Sequence, residues 1–278
     1  MIIIEPQLLK SSPLSSRRPV RVLALAACLA AAGCATEPMV GEPLRSPVRA
    51  AAPPLLSEVR TIVIDAGHGG HDPGTSHHGL KEKYVVLDIA RRLRARLQAA
   101  GLAVAMTRDT DRFIPLSGRP AVANRMRADL FVSVHANANR NRRVSGIEVY
   151  YPRTSVVSSS AQWPPSISAA EVGIPSTTVK QVLWDLVLRE TRVQSRQLGS
   201  AVCRAMERQL QAPCRVVKPA RFVVLREAWM PAVLVEVGYV SNYAEAKRLG
   251  QAAYRDAAAA AIAAGILAYI RERGAQHI

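Results

Sequence analysis

Thr61-Ile62-Val63-Ile64 is a β-branched run that breaks at Asp65-Ala66-Gly67 into a glycine-rich loop. The chain then changes to helical spacing, with Val85, Val86, Ile89, Leu93 and Leu97 recurring through 84–100 and Gly101 as the stop. A buried strand that feeds a helix in this way constrains the fold more than any other feature, because a parallel neighbour strand can be reached only by such a crossover. The pattern recurs downstream. Strands are expected at 103–107, 130–134, 146–151, 222–225 and 232–237, and helices at 116–126, 195–210 and the alanine-rich 252–273. This alternation predicts an α/β fold, a single domain with a mostly parallel or mixed twisted sheet of about six strands and helices on both faces. In such sheets ligands bind at the carboxyl ends of the strands.

At 278 residues, with 49% hydrophobic residues, the chain can bury a substantial core, and wholesale disorder is excluded. Its net charge is +16, but aromatics at 5% are sparse for stacking on single-stranded nucleic acid. The charge is therefore assigned to an acidic polymer or a membrane surface, and no nucleic-acid partner is expected. Arg17, Arg18 and Arg21 precede the apolar run 22–33, which is too short to span a bilayer and has the charged-then-apolar order of an export signal. Ala31-Ala32-Gly33-Cys34 resembles a bacterial lipobox, which makes Cys34 the candidate lipidation site and residues 1–34 a lipoprotein signal. Leu25-Ala26-Ala27-Cys28 fits the pattern less well, since Arg21 interrupts its short apolar core. Ser16-Arg17-Arg18 hints at twin-arginine export, although Pro19-Val20-Arg21 continues that motif poorly. Removing residues 1–34 takes away Lys10, Arg17, Arg18, Arg21 and Glu5, so the net falls by three to +13 and the charge belongs to the mature chain. Residues 35–57, with Pro38, Pro43, Pro47, Pro53 and Pro54, read as an extended tether. The folded part is placed at 58–275. The expected location is the periplasm, held to a membrane by lipid. There an oxidising environment would permit Cys203 and Cys214 to bridge, although Cys203 on a helical pattern could equally be a buried small hydrophobe.

Several polar residues fall at one end of this sketch. His68 follows the first strand, His135 ends the strand at 130–134, and Glu236 lies at the end of the strand at 232–237. Glu82 stands where the loop after the first strand enters the first helix, so it reaches the same rim. Two imidazoles and one carboxylate make a catalytic zinc set, because a closed structural site uses four protein ligands whereas a hydrolase keeps one position for water. Zinc lowers the pKa of water toward about 7 and polarises a carbonyl, and a further group must move the proton. Glu236, the carboxylate left over between Val235 and Val237, can do that. Its burial would be costly without a metal or a partner nearby.

Asp65-Ala66-Gly67-His68-Gly69-Gly70 with Asp72-Pro73-Gly74, Lys81-Glu82-Lys83, Thr107-Arg108-Asp109-Thr110-Asp111, Arg119 with Ala123-Asn124, Ser133-Val134-His135-Ala136-Asn137, Gly146-Ile147-Glu148, and the run from Pro231 through Glu236 to Asn242 occur in this order. Together these blocks resemble the zinc-dependent N-acetylmuramoyl-L-alanine amidases of bacterial cell-wall remodelling, over 61–273. The resemblance implies a zinc-exopeptidase-like fold, with His68, Glu82 and His135 as zinc ligands and Glu236 as the catalytic carboxylate. The implied reaction is hydrolysis of the amide between N-acetylmuramic acid and the L-alanine of the peptidoglycan stem peptide. Ala66 stands where the family usually has proline and Tyr239 where it has phenylalanine; neither touches a proposed ligand. Asp65 and Asp72 are candidate acceptors that orient the histidines. Arg119, Asn124 and Asn137 are candidates for bracing the rim or touching substrate, whereas His71, His77 and His78 are not expected to be ligands.

An insertion at about 152–190 is not explained by a compact core. Its first part is rich in Ser, Thr and Pro, and Val182, Leu183, Leu186 and Val187 then form an apolar helical face. In the amidases of this kind that separate daughter cells, an insertion at this point carries a helix that blocks the site until a LytM-type activator displaces it. By that likeness Glu171 or Glu190 would supply an autoinhibitory carboxylate. Two rival readings remain: a zinc carboxypeptidase or other wall peptidase, since fold and metal set do not fix the scissile bond, and a non-catalytic wall-binding lipoprotein.

Overall fold

The computed structural model describes residues 59–153 and 177–275. The export signal, Cys34, the tether, Glu171 and the 154–176 part of the insertion lie outside the described residues. In chain order the elements are β1 Thr61–Ala66, β2 Ser76–His77, β3 Leu80–Lys81, α1 Glu82–Ala99, β4 Ala103–Met106, α2 Gly118–Arg125, β5 Leu130–Asn137, β6 Ile147–Pro152, α3 Thr177–Leu210, β7 Cys214–Ala220, α4 Val223–Arg226, β8 Ala232–Tyr239, α5 Tyr243–Leu249 and α6 Ala252–Ala275. Six strands form one sheet in the order β4-β1-β5-β8-β6-β7. The first four are mutually parallel, β6 runs antiparallel to β8, and β7 is parallel to β6. The expected mixed α/β sheet is therefore present.

Each face of the sheet is dry for a different length. On one face Ile62, Ile64, Leu130, Val132, Val134, Val235 and Val237 pack against α1, α3 and α6 through Val86, Ile89, Leu93, Leu198, Val202, Met206, Ile262 and Ile266. Burying each such side chain stabilises the fold by about 1.5–3 kcal/mol. On the other face Val63, Phe131 and Leu234 meet Ala123 of α2 and Val224 and Leu225 of the short α4. Side chains alternate along a strand, so Asp65 shares a face with Val63, Ser133 and His135 with Phe131, and Glu236 with Leu234. Register sets Asp65 beside Ser133, His135 beside Glu236, and Glu236 beside Glu148. The second face thus turns from apolar to polar in one continuous row toward the carboxyl ends of β1, β5 and β8.

The structure corrects the element sketch in three places. Phe222-Val223-Val224-Leu225 is not a strand but the single turn α4, in which the N–H groups of Leu225 and Arg226 donate to the Phe222 carbonyl at 3.1 and 2.9 Å. A four-residue apolar run does not distinguish a strand from a helical turn. The strand that closes this side is β7, whose sequence Cys-Arg-Val-Val-Lys-Pro-Ala lacks clean alternation; an edge position tolerates its Lys218 and Pro219. Third, the helix expected at 195–210 begins at Thr177 and absorbs the end of the insertion, with Leu186 and Val187 exposed rather than buried. Cys203 of α3 and Cys214 of β7 form a disulfide, their Cα atoms 5.6 Å apart.

Candidate metal centre

β1 ends in a loop whose backbone is held from below by two buried arginines. Arg108 donates to the carbonyls of Ala66 and Gly67 at 2.9 and 2.6 Å and to that of Lys83 at 3.0 Å. Arg119 of α2 donates to the carbonyls of Ala66 and His68, both at 2.8 Å, and to Asp65 Oδ1 at 2.9 Å. Asp65 is fully buried and also accepts from Thr107 Oγ1 and Ser133 Oγ at 2.6 and 2.8 Å. Burial opposes its ionisation, but Arg119, these hydroxyls and the charge on His135 outweigh it and lower its pKa below 3.8. This clamp keeps His68 in the left-handed region, φ 57°, which turns its side chain toward α1.

Glu82 is the first residue of α1, where the helix dipole favours a carboxylate. One of its oxygens accepts from the Thr75 N–H and the other from the Ala136 N–H, each at 3.0 Å, which fixes it between two imidazoles. His68 Nε2 lies 3.1 Å from Glu82 Oε2, and His135 Nδ1 lies 2.9 Å from Glu82 Oε1. Asp72 Oδ2 takes the other nitrogen of His68, Nδ1, at 2.8 Å, and this leaves Nε2 free to act as a ligand. The pKa of Glu82 is strongly lowered: burial resists, and hydrogen bonds and charge from His135 and His68 overcome it. Glycine is required on both sides of this cluster. A Cβ at Gly67 would overlap the His135 ring, and one at Gly74, where φ is +65°, would lie 2.6 Å from Glu82 Oε2 and 2.7 Å from His68 Cδ2.

The three ligand atoms lie within 4.8 Å of one another. Imidazole nitrogens, which bind a metal in their neutral form, and a carboxylate oxygen, with one histidine oriented by an acid behind it, form a donor set suited to zinc. Glu236 completes the row. It is 7% exposed, beside His135 in register, and its Oε2 is buried with no hydrogen-bond partner among the described residues. Burial, then the charges of Glu82 and Glu148, push its pKa well above the usual carboxylate value. A buried, unpaired carboxylate oxygen beside a candidate metal site is costly in isolation and is expected where it serves chemistry.

Residues 62–268 match the N-acetylmuramoyl-L-alanine amidase family. The chain belongs to that family. It is 41% identical over 217 residues to the amidase AmiC of Neisseria meningitidis serogroup B, covering 75% of this chain and 52% of that protein. To AmiA of Escherichia coli K12 it is 38% identical over 219 residues, 76% of each chain. The solved structure of AmiC2 of Nostoc punctiforme is 33% identical and superposes with a TM-score of 0.59, covering 76% of this chain and 97% of that one. The chain thus spans about half the length of the meningococcal relative.

Within this amidase domain the structure sorts the remaining candidates. Asp72 Oδ2 meets His68 Nδ1, whereas Asp65 meets neither histidine by a hydrogen bond and reaches the His68 backbone through Arg119. Asn124 ties α2 to the following segment, donating to the Glu227 carbonyl at 2.8 Å and accepting from the Trp229 N–H at 3.1 Å. Asn137 faces the site and donates to Glu148 Oε2 at 3.3 Å. Glu190 is not brought to the cluster. It accepts from Gln194 at 2.7 Å just before Ser195, whose hydroxyl receives the Ala232 N–H at the start of β8, the end of the sheet opposite His135 and Glu236. Two site residues escaped sequence reasoning. Glu148, buried between Asn137, Tyr150 and Glu236, carried the same signal as Glu236, a carboxylate inside an apolar strand run. Arg108 carried no signal of its burial.

Proposed function

We propose that this chain is a zinc-dependent N-acetylmuramoyl-L-alanine amidase that cleaves the amide between N-acetylmuramic acid and L-alanine in peptidoglycan, in wall remodelling and daughter-cell separation. The observation that carries the reading is the meeting of His68, Glu82, His135 and Glu236 on one rim of a domain of this family. His68, Glu82 and His135 would hold zinc, which supplies Lewis-acid polarisation of the amide carbonyl and acidifies water. Asp72 keeps the His68 ring in the tautomer that presents Nε2. Glu236 takes a proton from the attacking water at its unpartnered Oε2 and returns it to the departing nitrogen. Burial lifts its carboxyl above the ordinary carboxylate range, which makes the group a readier acceptor for the proton it then passes on. Thr75 and Ala136 fix Glu82 through their N–H groups, so the ligand set is preorganised.

The same reading places the protein outside the cytoplasm, in the periplasm, anchored to a membrane by lipid on Cys34 and reaching the wall through the 35–57 tether. A LytM-type activator acting on the insertion belongs to it as well; its support is the family likeness and the place of the insertion in the sequence. Digestion of purified peptidoglycan, followed by mass spectrometry, tests the core of the proposal. Free stem peptides with N-terminal alanine, abolished by chelator, are expected. Stem peptides trimmed at their far end but still joined to sugar would establish a carboxypeptidase instead, and binding without release a non-catalytic wall protein.

A further inference from the structure

The loop after β5, residues 138–146, departs from the metal centre and is unusually well fixed for an exposed segment. The Asn139 N–H donates to Ser241 Oγ at 2.9 Å, the Arg142 carbonyl accepts from Asn242 Nδ2 at 3.0 Å, and the Gly146 N–H donates to Glu245 Oε1 at 3.0 Å. All three partners lie at the β8–α5 corner. Within the loop, Asn139 Oδ1 accepts from the Asn141 N–H and Asn141 Oδ1 from the Arg143 N–H, at 2.9 and 3.0 Å. This scaffold presents Arg140, Arg142 and Arg143 to solvent.

The loop also leans on the other side of the site. Arg142 Nη1 lies 3.0 Å from His77 Nδ1. A guanidinium can only donate, so this nitrogen accepts and the His77 ring is neutral; burial and the adjacent Arg142 and His78 charges lower its pKa. His77 stands in β2, just beyond Thr75, whose N–H holds Glu82, and the loop starts just beyond Ala136, whose N–H holds the other Glu82 oxygen. Arg142 and Arg143 meet no carboxylate among the described residues. The acid the loop touches, the buried Glu245, is committed to the Gly146 and Tyr239 N–H groups and to Arg248. Exposed guanidinium groups carried on a fixed backbone, with no carboxylate to meet, are suited to bind an anion.

We propose that the 138–146 loop, through Arg142 and Arg143, is a subsite for the carboxylates of the peptide portion of the substrate. The inference rests on the amidase reading, in which the peptide leaves from a carbonyl held at the neighbouring metal centre. The loop therefore discriminates free from amidated stem peptides. The test compares wild type with Arg142→Gln/Arg143→Gln on two soluble N-acetylmuramoyl peptides that differ only in free or amidated side-chain and terminal carboxyls. With the free acids KM is expected to rise about tenfold, the loss of one charge-assisted contact, with kcat within about twofold. With the amidated peptide the double substitution should change KM by less than about twofold. The wild-type KM for the acid should also climb more steeply with salt than that of the variant. Arg142→Lys/Arg143→Lys, which keeps the charge but not the planar donor group, should recover only part of the affinity. Equal KM changes on both peptides, or none on either, would overturn the proposal. Calorimetric titration of the isolated peptide, acid or amide, reads the loop without turnover. Absence of cleavage by the wild type would thus count against the amidase reading alone, and a loss of acid-selective binding in the variant would still decide for the loop.

Discussion

Arg119→Met removes one member of the buried clamp beneath the metal centre, and its cost follows from what is left behind. Asp65 is fully buried and Arg119 is 2% exposed, with 2.9 Å between them. Removing one partner of such a pair costs about 3–5 kcal/mol, since the remaining charge stays in a dry site. Thr107 and Ser133 continue to solvate Asp65, which favours the lower end, about 3 kcal/mol. The Ala66 carbonyl keeps its bond from Arg108, whereas the His68 carbonyl loses its donor and adds about 1 kcal/mol. The expected total is about 4 kcal/mol, or roughly 8–16 °C in Tm for a domain of this size. Denaturant unfolding followed by circular dichroism at neutral pH gives the first number and thermal melts the second. Asp65→Asn/Arg119→Met removes the stranded charge along with its partner, so the two single losses should exceed the double by about 2 kcal/mol. A single-mutant loss below about 1 kcal/mol, or strict additivity, would refute the claim that a charged pair fixes the loop carrying His68.

Other outcomes test separate parts of the account. Asp72→Ala should weaken zinc binding by about 10–100-fold in chelator competition while Glu82 and His135 remain, because the His68 ring loses the acceptor that orients it; unchanged affinity would show that Asp72 is dispensable. Asp65 has a folded-state pKa below 3.8, so its contribution is fully present above that value and is lost as pH falls through the lower folded one. The Tm gap between wild type and Asp65→Asn should accordingly narrow from about pH 6 to about pH 3, and a gap that widens would contradict the sign. Reduction of Cys203–Cys214, which closes a sequence separation of 11, should lower stability by about 2–3 kcal/mol, read as a shift of the denaturant midpoint with dithiothreitol. An unmoved midpoint would mean that the bond does not constrain the unfolded chain.

Much of the site was legible because its chemistry is written in residues that fit no structural role easily. A histidine in a glycine loop and a glutamate between valines each stood at a strand end, a glutamate opening a helix stood at the same rim, and the sheet brought them together. Glu148 shared that signature and stood in one of the motif blocks but was given no role of its own, and only the β6–β8 register shows it opposite Glu236. The fold was legible wherever apolar runs were long. Phe222-Val223-Val224-Leu225 was too short to separate strand from turn, and β7 was masked by Lys218 and Pro219, which an edge can accommodate. Arg119 was a candidate for bracing the rim, but the part of Arg108 in the clamp was hidden for a physical reason: arginines are ordinarily exposed, and their burial depends on loop carbonyls that only the tertiary structure gathers. The placement of Glu190 likewise depends on which way α3 runs along the sheet, a property that helical periodicity does not encode.

The account depends most on a division of labour in which His68, Glu82 and His135 bind the ion and Glu236 moves the proton. Metal content and peptidoglycan turnover of purified Glu236→Gln, measured on the same sample, address that division directly. The predicted result is one zinc per chain, as in the wild type, with turnover reduced by at least about a hundredfold. A variant that loses its zinc, or that keeps both its zinc and wild-type turnover, would contradict it.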